Sequence, residues 1–287
     1  MSRIVYVNGA FVPEEDAKIS VFDRGFLFAD GVYEVSSVLD GKLIDNAGHM
    51  VRLHRSLNEL DMAAPCSDEE IEAAQMKLIQ DNNVVEGLVY LQVTRGAADR
   101  DFAYPKNAKP TLVMFTQSKP LLNDPTADNG ISVVTLPDLR WGRRDIKTVG
   151  LLYPCMAKME AKAKGANDAW LMDDNGFITE GTSNNAYIVT KDATIVTRQL
   201  SNDILHGITR KAVLAIAKNA NLKIEERPFT PAEVQNAQEA FFTSASAFVM
   251  PVVKIDGQDI ANGKPGRITQ QLREMYIKIA QGQIEAG

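Results

Sequence analysis

The stretch RRDIKTVGLLYP, residues 143–154, places Lys147 directly after a charged segment and directly before an apolar one. Isolated lysines are mostly surface residues, so one interpretation is a strand end with its ammonium group in solvent. The alternative is an amine that points into the protein. Burial and neighbouring positive charge both favour the deprotonated form of an amine, which is the form that attacks aldehydes. Lys147 is therefore a candidate nucleophile.

The segments before this stretch mix strand and helix patterns. The turn dipeptides Asn8-Gly9 and Asp40-Gly41 lie between β-rich runs and predict two hairpins. Apolar residues at helical spacing over 50–60 predict an amphipathic helix with Arg52 on its polar face.

The order of these patterns lacks the strict strand–helix alternation of a doubly wound sheet. We therefore predict an α+β fold of two domains with a cleft between them. The smaller, N-terminal domain covers residues 1–117 and the larger, C-terminal domain covers 131–287. Residues 118–130 are rich in turn formers and are interpreted as an interdomain linker.

Composition narrows the class of protein. The 287 residues are 45% hydrophobic, which is typical of a globular chain, and the net charge of −6 argues against nucleic-acid binding. No apolar run has the roughly 18 residues of a membrane helix. The three histidines form no metal motif, so we expect no metal site. Two distant cysteines and the lack of a secretion signal predict a cytoplasmic protein.

The segment GFITEGTSNNAYIV, residues 176–189, ends a β-rich run at Glu180 and continues with small hydroxyl and amide residues. A carboxylate in this position can hold the ring nitrogen of a pyridine cofactor in its protonated form. The small residues can approach a phosphate closely. The alternative interpretation is a solvent-facing turn with an incidental glutamate.

Two further segments could bind an anion. HGITR, residues 206–210, begins a helix, where unpaired backbone N–H groups and the helix dipole favour a phosphate. Ile208 could add a backbone N–H and Thr209 a hydroxyl. TSASA, residues 243–247, is a small-residue turn in which Ser244 and Ala245 permit close backbone approach. Arg52 could add a charged donor. Thr209 could instead be only a helix cap, and Arg52 only an exposed arginine.

In this order the segments resemble the fold-type IV pyridoxal-phosphate aminotransferases (class IV), and most of all the D-amino acid transaminases. The resemblance extends from VNGAFVP, residues 7–13, through DRGFLFADGVYEV, VTRGAADRDF and FFTSASA to VKIDGQDI, residues 253–260. It implies a homodimer with the active site near the subunit interface, and pyridoxal 5'-phosphate as the cofactor.

The resemblance also implies a role for each matching residue. Lys147 would be the Schiff-base lysine and the catalytic proton carrier, and Glu180 the partner of the pyridine nitrogen. The other cofactor-binding residues would be Leu205 against the ring and, around the phosphate, Arg52, Ile208, Thr209, Ser244 and Ala245.

The substrate residues match the family less completely. Tyr33 and Arg100 match the tyrosine and arginine with which D-amino acid transaminases bind the substrate carboxylate. Phe102 stands where those enzymes have a histidine, so one donor is missing. The alternative for this segment is a solvated loop whose aromatic residues pack on the core.

The predicted function is a ping-pong transaminase that moves the amino group of a D-amino acid to a 2-oxo acid. Its partners would be small amino donors and 2-oxo acids, with no nucleic acid and no membrane. The alternatives are an (R)-selective amine transaminase, which Phe102 favours, a branched-chain L-amino acid aminotransferase, and an aminodeoxychorismate lyase. A non-enzymatic binding protein, in which Lys147 is structural, is the alternative from another class.

Overall fold

The computed structural model describes residues 2–284, which form two compact units. The first comprises residues 2–120 and Ile146–Gly150, and the second comprises Leu121–Asp145 and residues 151–284. The predicted second domain included residues 146–150, whereas their backbone contacts join them to the first unit. Residue 1 and residues 285–287 of the predicted domains lie outside the described residues.

The first unit is an antiparallel sheet with two long helices on one face. The strands have the order β2-β1-β6-β5-β3-β4. They are β1 Ile4–Val7, β2 Ala10–Pro13, β3 Gly31–Leu39, β4 Lys42–Leu43, β5 Gly87–Thr94 and β6 Thr111–Ser118. The helices are α1 Arg24–Phe28, α2 Asn46–Glu59 and α3 Asp68–Asp81, and a 3-10 turn spans Glu14–Asp16.

Alternation along the strands gives this sheet two different faces. On β5, Val89, Leu91 and Val93 are fully buried, and the last two pack in the core with α2 and α3. The residues between them are half-buried and include Tyr90, which stacks on Phe115 of β6. The helix-covered face is thus the core of the unit, and the other face carries an aromatic row.

The second unit is a mixed sheet with helices packed on it. The strands have the order β12-β11-β10-β13-β14-β7-β8-β9, and β15 pairs with β14. They are β7 Ile131–Pro137, β8 Asp168–Met172, β9 Ile178–Gly181, β10 Asn185–Val189, β11 Thr194–Thr197, β12 Lys223–Glu226, β13 Glu239–Ser244, β14 Phe248–Ile255 and β15 Gln258–Asp259. The helices are α4 Pro125–Asn129, α5 Leu152–Ala163, α6 Ile208–Asn219, α7 Pro231–Gln235 and α8 Arg267–Ala280.

The inner strands of this unit are largely apolar because both of their faces are covered, whereas the edge strand β12 is mostly exposed. Every residue of β10 and β11 is buried. The core joins Trp170 of β8, Phe242 of β13 and Met250 of β14 to Phe229. Parallel pairs β11–β12, β14–β7 and β7–β8 occur beside antiparallel ones, and the predicted α+β class is confirmed.

The local predictions that depend on turn chemistry are confirmed. Asn8-Gly9 and Asp40-Gly41 connect β1 to β2 and β3 to β4, with positive φ at all four residues. The segment 118–130, interpreted as a linker, is divided between the two units after Pro120, and its second part contains α4, which Asp124 caps. No helix among residues 2–284 combines the length and apolarity that a membrane crossing requires.

Candidate active site

Lys147 is held beside β3 by backbone hydrogen bonds. Its carbonyl accepts from the Tyr33 N–H at 3.0 Å, and the Val149 N–H donates to the Gly31 carbonyl at 3.0 Å. The half-buried side chain places Nζ 3.9 Å from the centroid of the Tyr33 ring. Within residues 2–284, Nζ has no ion pair or hydrogen bond. This amine therefore lies against an aromatic face and has no carboxylate partner among the described residues.

The two arginines that precede Lys147 are ion-paired in the second unit. Arg143 donates from Nε and Nη2 to Asp145 at 3.0 Å in both cases. Arg144 lies 3.4 Å from Asp138 and 3.5 Å from Asp203. Carboxylates thus compensate both charges.

Glu180, on β9, is 3% exposed and accepts three hydrogen bonds. Oε1 accepts from Nη1 of Arg140 at 2.5 Å, and Oε2 accepts from Asn185 at 2.9 Å and from the Leu205 N–H at 3.1 Å. An ionised carboxylate has about four acceptor positions, so one position on Oε1 remains for a further donor. The protonated nitrogen of a pyridine ring is a donor of this kind.

The charge state of Glu180 depends on Arg140. Burial raises the pKa of Glu180 above its ordinary value, and the charge of Arg140 and its hydrogen bond oppose this. The side chain of Asp138 is fully buried, and its carboxylate accepts from Nε of the same guanidinium at 2.9 Å and from Nη2 at 2.7 Å. The sequence did not single out Arg140, because it lies in an irregular segment without a periodic signal.

The small residues after Glu180 have two separate partners. Thr182 and Asn184 donate to the buried carboxylate of Asp168 at 2.6 and 2.8 Å, so their side chains stabilise the turn. Asn185 donates to Glu180 and also to the Leu205 carbonyl at 2.9 Å. The sequence suggested that these small residues approach a phosphate, whereas the side chains of Thr182, Asn184 and Asn185 are hydrogen-bonded within the protein.

The helix α6 begins beside this cluster. Gly207 is its N-cap and provides no side-chain cap, so Thr209 is the second helical residue and not the cap. A side chain at Gly207 would meet the amide of Asn185. Thr209 is buried and Ile208 is half-buried. The uncapped N–H groups and the helix dipole suit a phosphate.

The turn after β13 lies beside β10, the strand that carries Asn185. Asn185 of β10 is opposite Thr243 of β13, and Ser244 and Ala245 follow at the end of β13. Both are half-buried. The second unit therefore brings together Glu180, Leu205, the start of α6 and the Ser244–Ala245 turn, which supply a ring-nitrogen acceptor and phosphate donors. This donor set fits pyridoxal phosphate.

Arg52 lies in the first unit and is buried, with 7% of its surface exposed. Its Nε and Nη2 donate to the two oxygens of Glu34 at 2.8 and 2.6 Å, and His49 Nδ1 lies 2.7 Å from the same carboxylate. Burial alone would raise the pKa of Glu34, but the charge of Arg52 and the hydrogen bonds from Arg52 and His49 lower it to about 2. The sequence predicted that Arg52 lies on the polar face of its helix, whereas the residue is buried. The helical pattern could not show that Glu34, on a different element, pairs with it.

The proposed substrate residues lie in the first unit on different elements. Tyr33 of β3 stacks on Tyr90 at 5.5 Å. Arg100 is exposed, and its guanidinium lies 5.3 Å from the ring centroid of Phe28 and 5.5 Å from that of Phe102. Phe102 is 79% exposed, so it does not pack into the core as one interpretation expected.

Comparison with known proteins assigns the family. The sequence model of amino-transferase class IV matches residues 31–255. The chain belongs to the class IV aminotransferases. The D-alanine aminotransferase of Staphylococcus epidermidis (strain ATCC 35984) is 39% identical over 278 residues, covering 96% of this chain and 98% of the relative. The D-alanine aminotransferase of Bacillus licheniformis is 38% identical over 271 residues and covers 94% of each chain.

Solved structures agree with the fold. The branched-chain amino acid aminotransferase of T.th., with pyridoxamine 5'-phosphate, superposes with a TM-score of 0.91 and 27% identity, over 99% of this chain and 96% of the other. The predicted recognition as a fold-type IV enzyme is confirmed. A class IV aminotransferase uses pyridoxal phosphate, in agreement with the donor set around Glu180.

Proposed function

We propose that this class IV aminotransferase transfers the amino group of D-amino acids, D-alanine among them, to 2-oxo acids. The D-alanine aminotransferases that resemble it over almost the whole chain support this substrate class. The observation that carries the proposal is Arg100. It is the only arginine among residues 2–284 without a hydrogen bond or ion pair, so its donors are available to a carboxylate.

Each residue has a proposed role toward the cofactor. Pyridoxal phosphate, when bound, supplies an aldehyde that joins to amines and a protonated ring that withdraws electrons from the substrate Cα. Lys147 would hold the aldehyde, and Glu180 would hold the ring nitrogen protonated through the open position on Oε1. The remaining cofactor contacts are proposed for Leu205 at the ring and for Arg52, Ile208, Thr209, Ser244 and Ala245 at the phosphate.

Lys147 would also move the proton. When it is free, its Nζ would act as a base that takes up the proton of the substrate Cα and then as an acid that gives the proton back. Nζ has no hydrogen bond or ion pair among the described residues, so no protein partner has to be displaced before it meets a substrate. Tyr33, whose ring lies against Nζ, would confine the amine.

Substrate orientation would come from Arg100 and Tyr33. A guanidinium binds a carboxylate through two parallel hydrogen bonds, which fixes the direction in which the Cα–H points. The donor then leaves as a 2-oxo acid and a second 2-oxo acid takes up the amino group in the reverse half-reaction.

From the family resemblance we also propose a cytoplasmic homodimer with its sites near the subunit interface.

A second candidate, an (R)-selective amine transaminase, is favoured by Phe102. An apolar ring in place of a hydrogen-bond donor lowers the demand for a carboxylate and offers surface to an apolar substituent. The branched-chain L-aminotransferases are less similar to the chain, at 27% identity compared with 39% for the D-alanine enzymes. A lyase would release pyruvate from aminodeoxychorismate without an acceptor.

The substrate assay distinguishes these enzymes. D-Alanine with 2-oxoglutarate should yield pyruvate and D-glutamate, and L-alanine, as the matched enantiomer, should yield far less. L-Leucine, (R)-1-phenylethylamine and aminodeoxychorismate test the alternatives. If no D-amino acid reacts and one of these compounds does, the proposed substrate class is wrong.

The position of the reactive amine is tested by borohydride reduction with pyridoxal phosphate, followed by intact-mass and peptide analysis. One cofactor should be fixed per chain, on Lys147, and Lys147→Ala should take up none. Lys158, which is paired with Asp168 at 3.2 Å, gives the matched control: Lys158→Ala should label like the wild type. Labelling at another lysine would refute the assignment.

A further inference from the structure

The loop that carries Arg100 is exposed but is anchored by buried cations. Residues 99–104 lie after β5. Their side chains make ring contacts at Phe102 and Tyr104, and the Asp101 carboxylate accepts from the Ala103 N–H within the loop. A free loop of this kind would lose much conformational entropy on binding a substrate. What fixes this loop therefore affects how well Arg100 binds.

Arg24 is the first anchor. It is 3% exposed, and its Nη1 donates to the carbonyl of Asp101 at 2.6 Å and lies 3.4 Å from that of Ala103. These two carbonyls closely follow Arg100 in the chain. The Arg24 guanidinium also lies 4.6 Å from the ring centroid of Phe28. Arg100 contacts the same ring, at 5.3 Å from its centroid.

Asp30 and Arg95 complete the anchor. A single oxygen of Asp30, Oδ2, accepts from Nε of Arg24 at 2.7 Å and from Nε of Arg95 at 2.8 Å. Arg95, 6% exposed, lies 3.5 Å from the ring centroid of Tyr104, at the end of the loop. One carboxylate thus fixes two guanidinium groups. Arg95 contacts the Tyr104 ring, and Arg24, which holds the two carbonyls, lies 5.8 Å from the centroid of the same ring.

We infer that Arg24 is a positioning residue for substrate carboxylate binding: it orients the loop so that the free guanidinium of Arg100 meets the α-carboxylate. This rests on the proposed function, in which Arg100 binds that carboxylate. Arg24 itself has no contact with the substrate. Its effect should therefore appear only with substrates that carry a carboxylate and only when Arg100 is present.

The experiment compares D-alanine with D-alaninamide, which keeps the amine and the Cα–H but carries no negative charge. The ratio of the two kcat/KM values reports carboxylate recognition, and the holoenzyme is used throughout. Arg24→Gln should lower this ratio by about tenfold or more, mainly through KM for D-alanine, since charge-assisted hydrogen bonds contribute at this scale. Arg3→Gln, at an exposed pair with Glu14, should leave the ratio unchanged.

The decisive comparison repeats Arg24→Gln in an Arg100→Ala background. If Arg24 acts through Arg100, it should change the ratio less than about twofold there. An equal loss in both backgrounds, or an equal loss with both substrates, overturns the inference. If the wild type does not prefer D-alanine to D-alaninamide, or Arg100→Ala leaves that preference intact, the role of Arg100 is wrong and this inference fails with it.

A second variant guards against misfolding, because Arg24→Gln leaves Asp30 with one cation fewer. Tyr104→Ala removes the ring over Arg95 and unpairs no buried charge. It should lower the ratio by about fivefold, since a cation–π contact is worth roughly 1 kcal/mol and about 1.4 kcal/mol is tenfold. It should have no further effect without Arg100. An unchanged ratio in a folded Tyr104→Ala enzyme would show that the loop needs no such anchor.

Discussion

Glu34→Gln tests the buried cluster that holds Arg52. The carboxylate of Glu34 is 2% exposed and accepts two hydrogen bonds from the guanidinium. Glutamine has nearly the same shape but no charge, and it can accept at one oxygen only. The variant therefore removes the ion pair while it keeps the packing of β3 on α2.

The magnitude follows from the pKa of Glu34. A glutamate ordinarily titrates at 4.5, and the cluster lowers this pKa to about 2. At about 1.4 kcal/mol per tenfold change in proton affinity, the difference corresponds to about 3 kcal/mol of folding stability. Because the folded pKa is the lower one, the whole contribution is present above pH 4.5 and is lost as the pH falls toward 2.

The assay is urea unfolding followed by circular dichroism, with the protein freed of pyridoxal phosphate so that cofactor binding adds nothing. At about pH 7, Glu34→Gln should be about 3 kcal/mol less stable than the wild type. At about pH 3.5 the wild type should have lost about 1.4 kcal/mol of this contribution, so the gap should narrow to about 2 kcal/mol.

An exposed ion pair gives the control. Lys77 and Asp81 are 2.9 Å apart on the surface of α3. Asp81→Asn should change the stability by less than about 0.5 kcal/mol at either pH. A gap between wild type and Glu34→Gln that stays constant with pH would refute the argument, because the ionisation of Glu34 would then not contribute to folding.

Two further substitutions test the second unit and the backbone of the first. Arg140→Met leaves the buried carboxylate of Glu180 without its cation, so urea unfolding should show a loss of about 3–5 kcal/mol; a loss below about 1 kcal/mol would contradict the ion pair. Gly96→Ala places a methyl group against the carbonyl oxygen of Lys109 at a φ of +93°. It should lose more than about 2 kcal/mol of stability by the same assay. Gly176→Ala, at a φ of +79° with open space around it, is the control and should lose about 1 kcal/mol. Equal losses would show that the Lys109 carbonyl does not restrict residue 96.

Short-range chemistry was predictable from the sequence. The Asn8-Gly9 turn needs only the positive φ that these two residues accept, and it forms as predicted. The Ser67–Glu70 capping box involves groups three residues apart, and both of its hydrogen bonds are present. The β-rich run ISVVTLP is typical of a strand, and it forms β7, Ile131–Pro137. Each of these features is decided by residues that are neighbours in the chain.

Ion pairs between distant residues were not predictable. Arg140 and Glu180 are 40 residues apart, and nothing in either segment shows that they meet. Arg52 was assigned to a polar face because an amphipathic pattern counts every arginine as exposed. Its burial depends on Glu34, which reaches it from another element. The residue pattern of one helix carries no information about a charged residue on a strand that packs against it.

The strand β3 shows why its register matters to the proposed activity. Tyr33 and Glu34 are adjacent, so they point to opposite faces: Tyr33 toward Nζ of Lys147 and Glu34 toward Arg52. A shift of one residue would exchange the two side chains and break both contacts. Gly31 helps to fix the register, because a Cβ there would lie 2.9 Å from the Val93 carbonyl oxygen. The pairing of β3 with β5 thus positions both the proposed catalytic amine and the buried arginine.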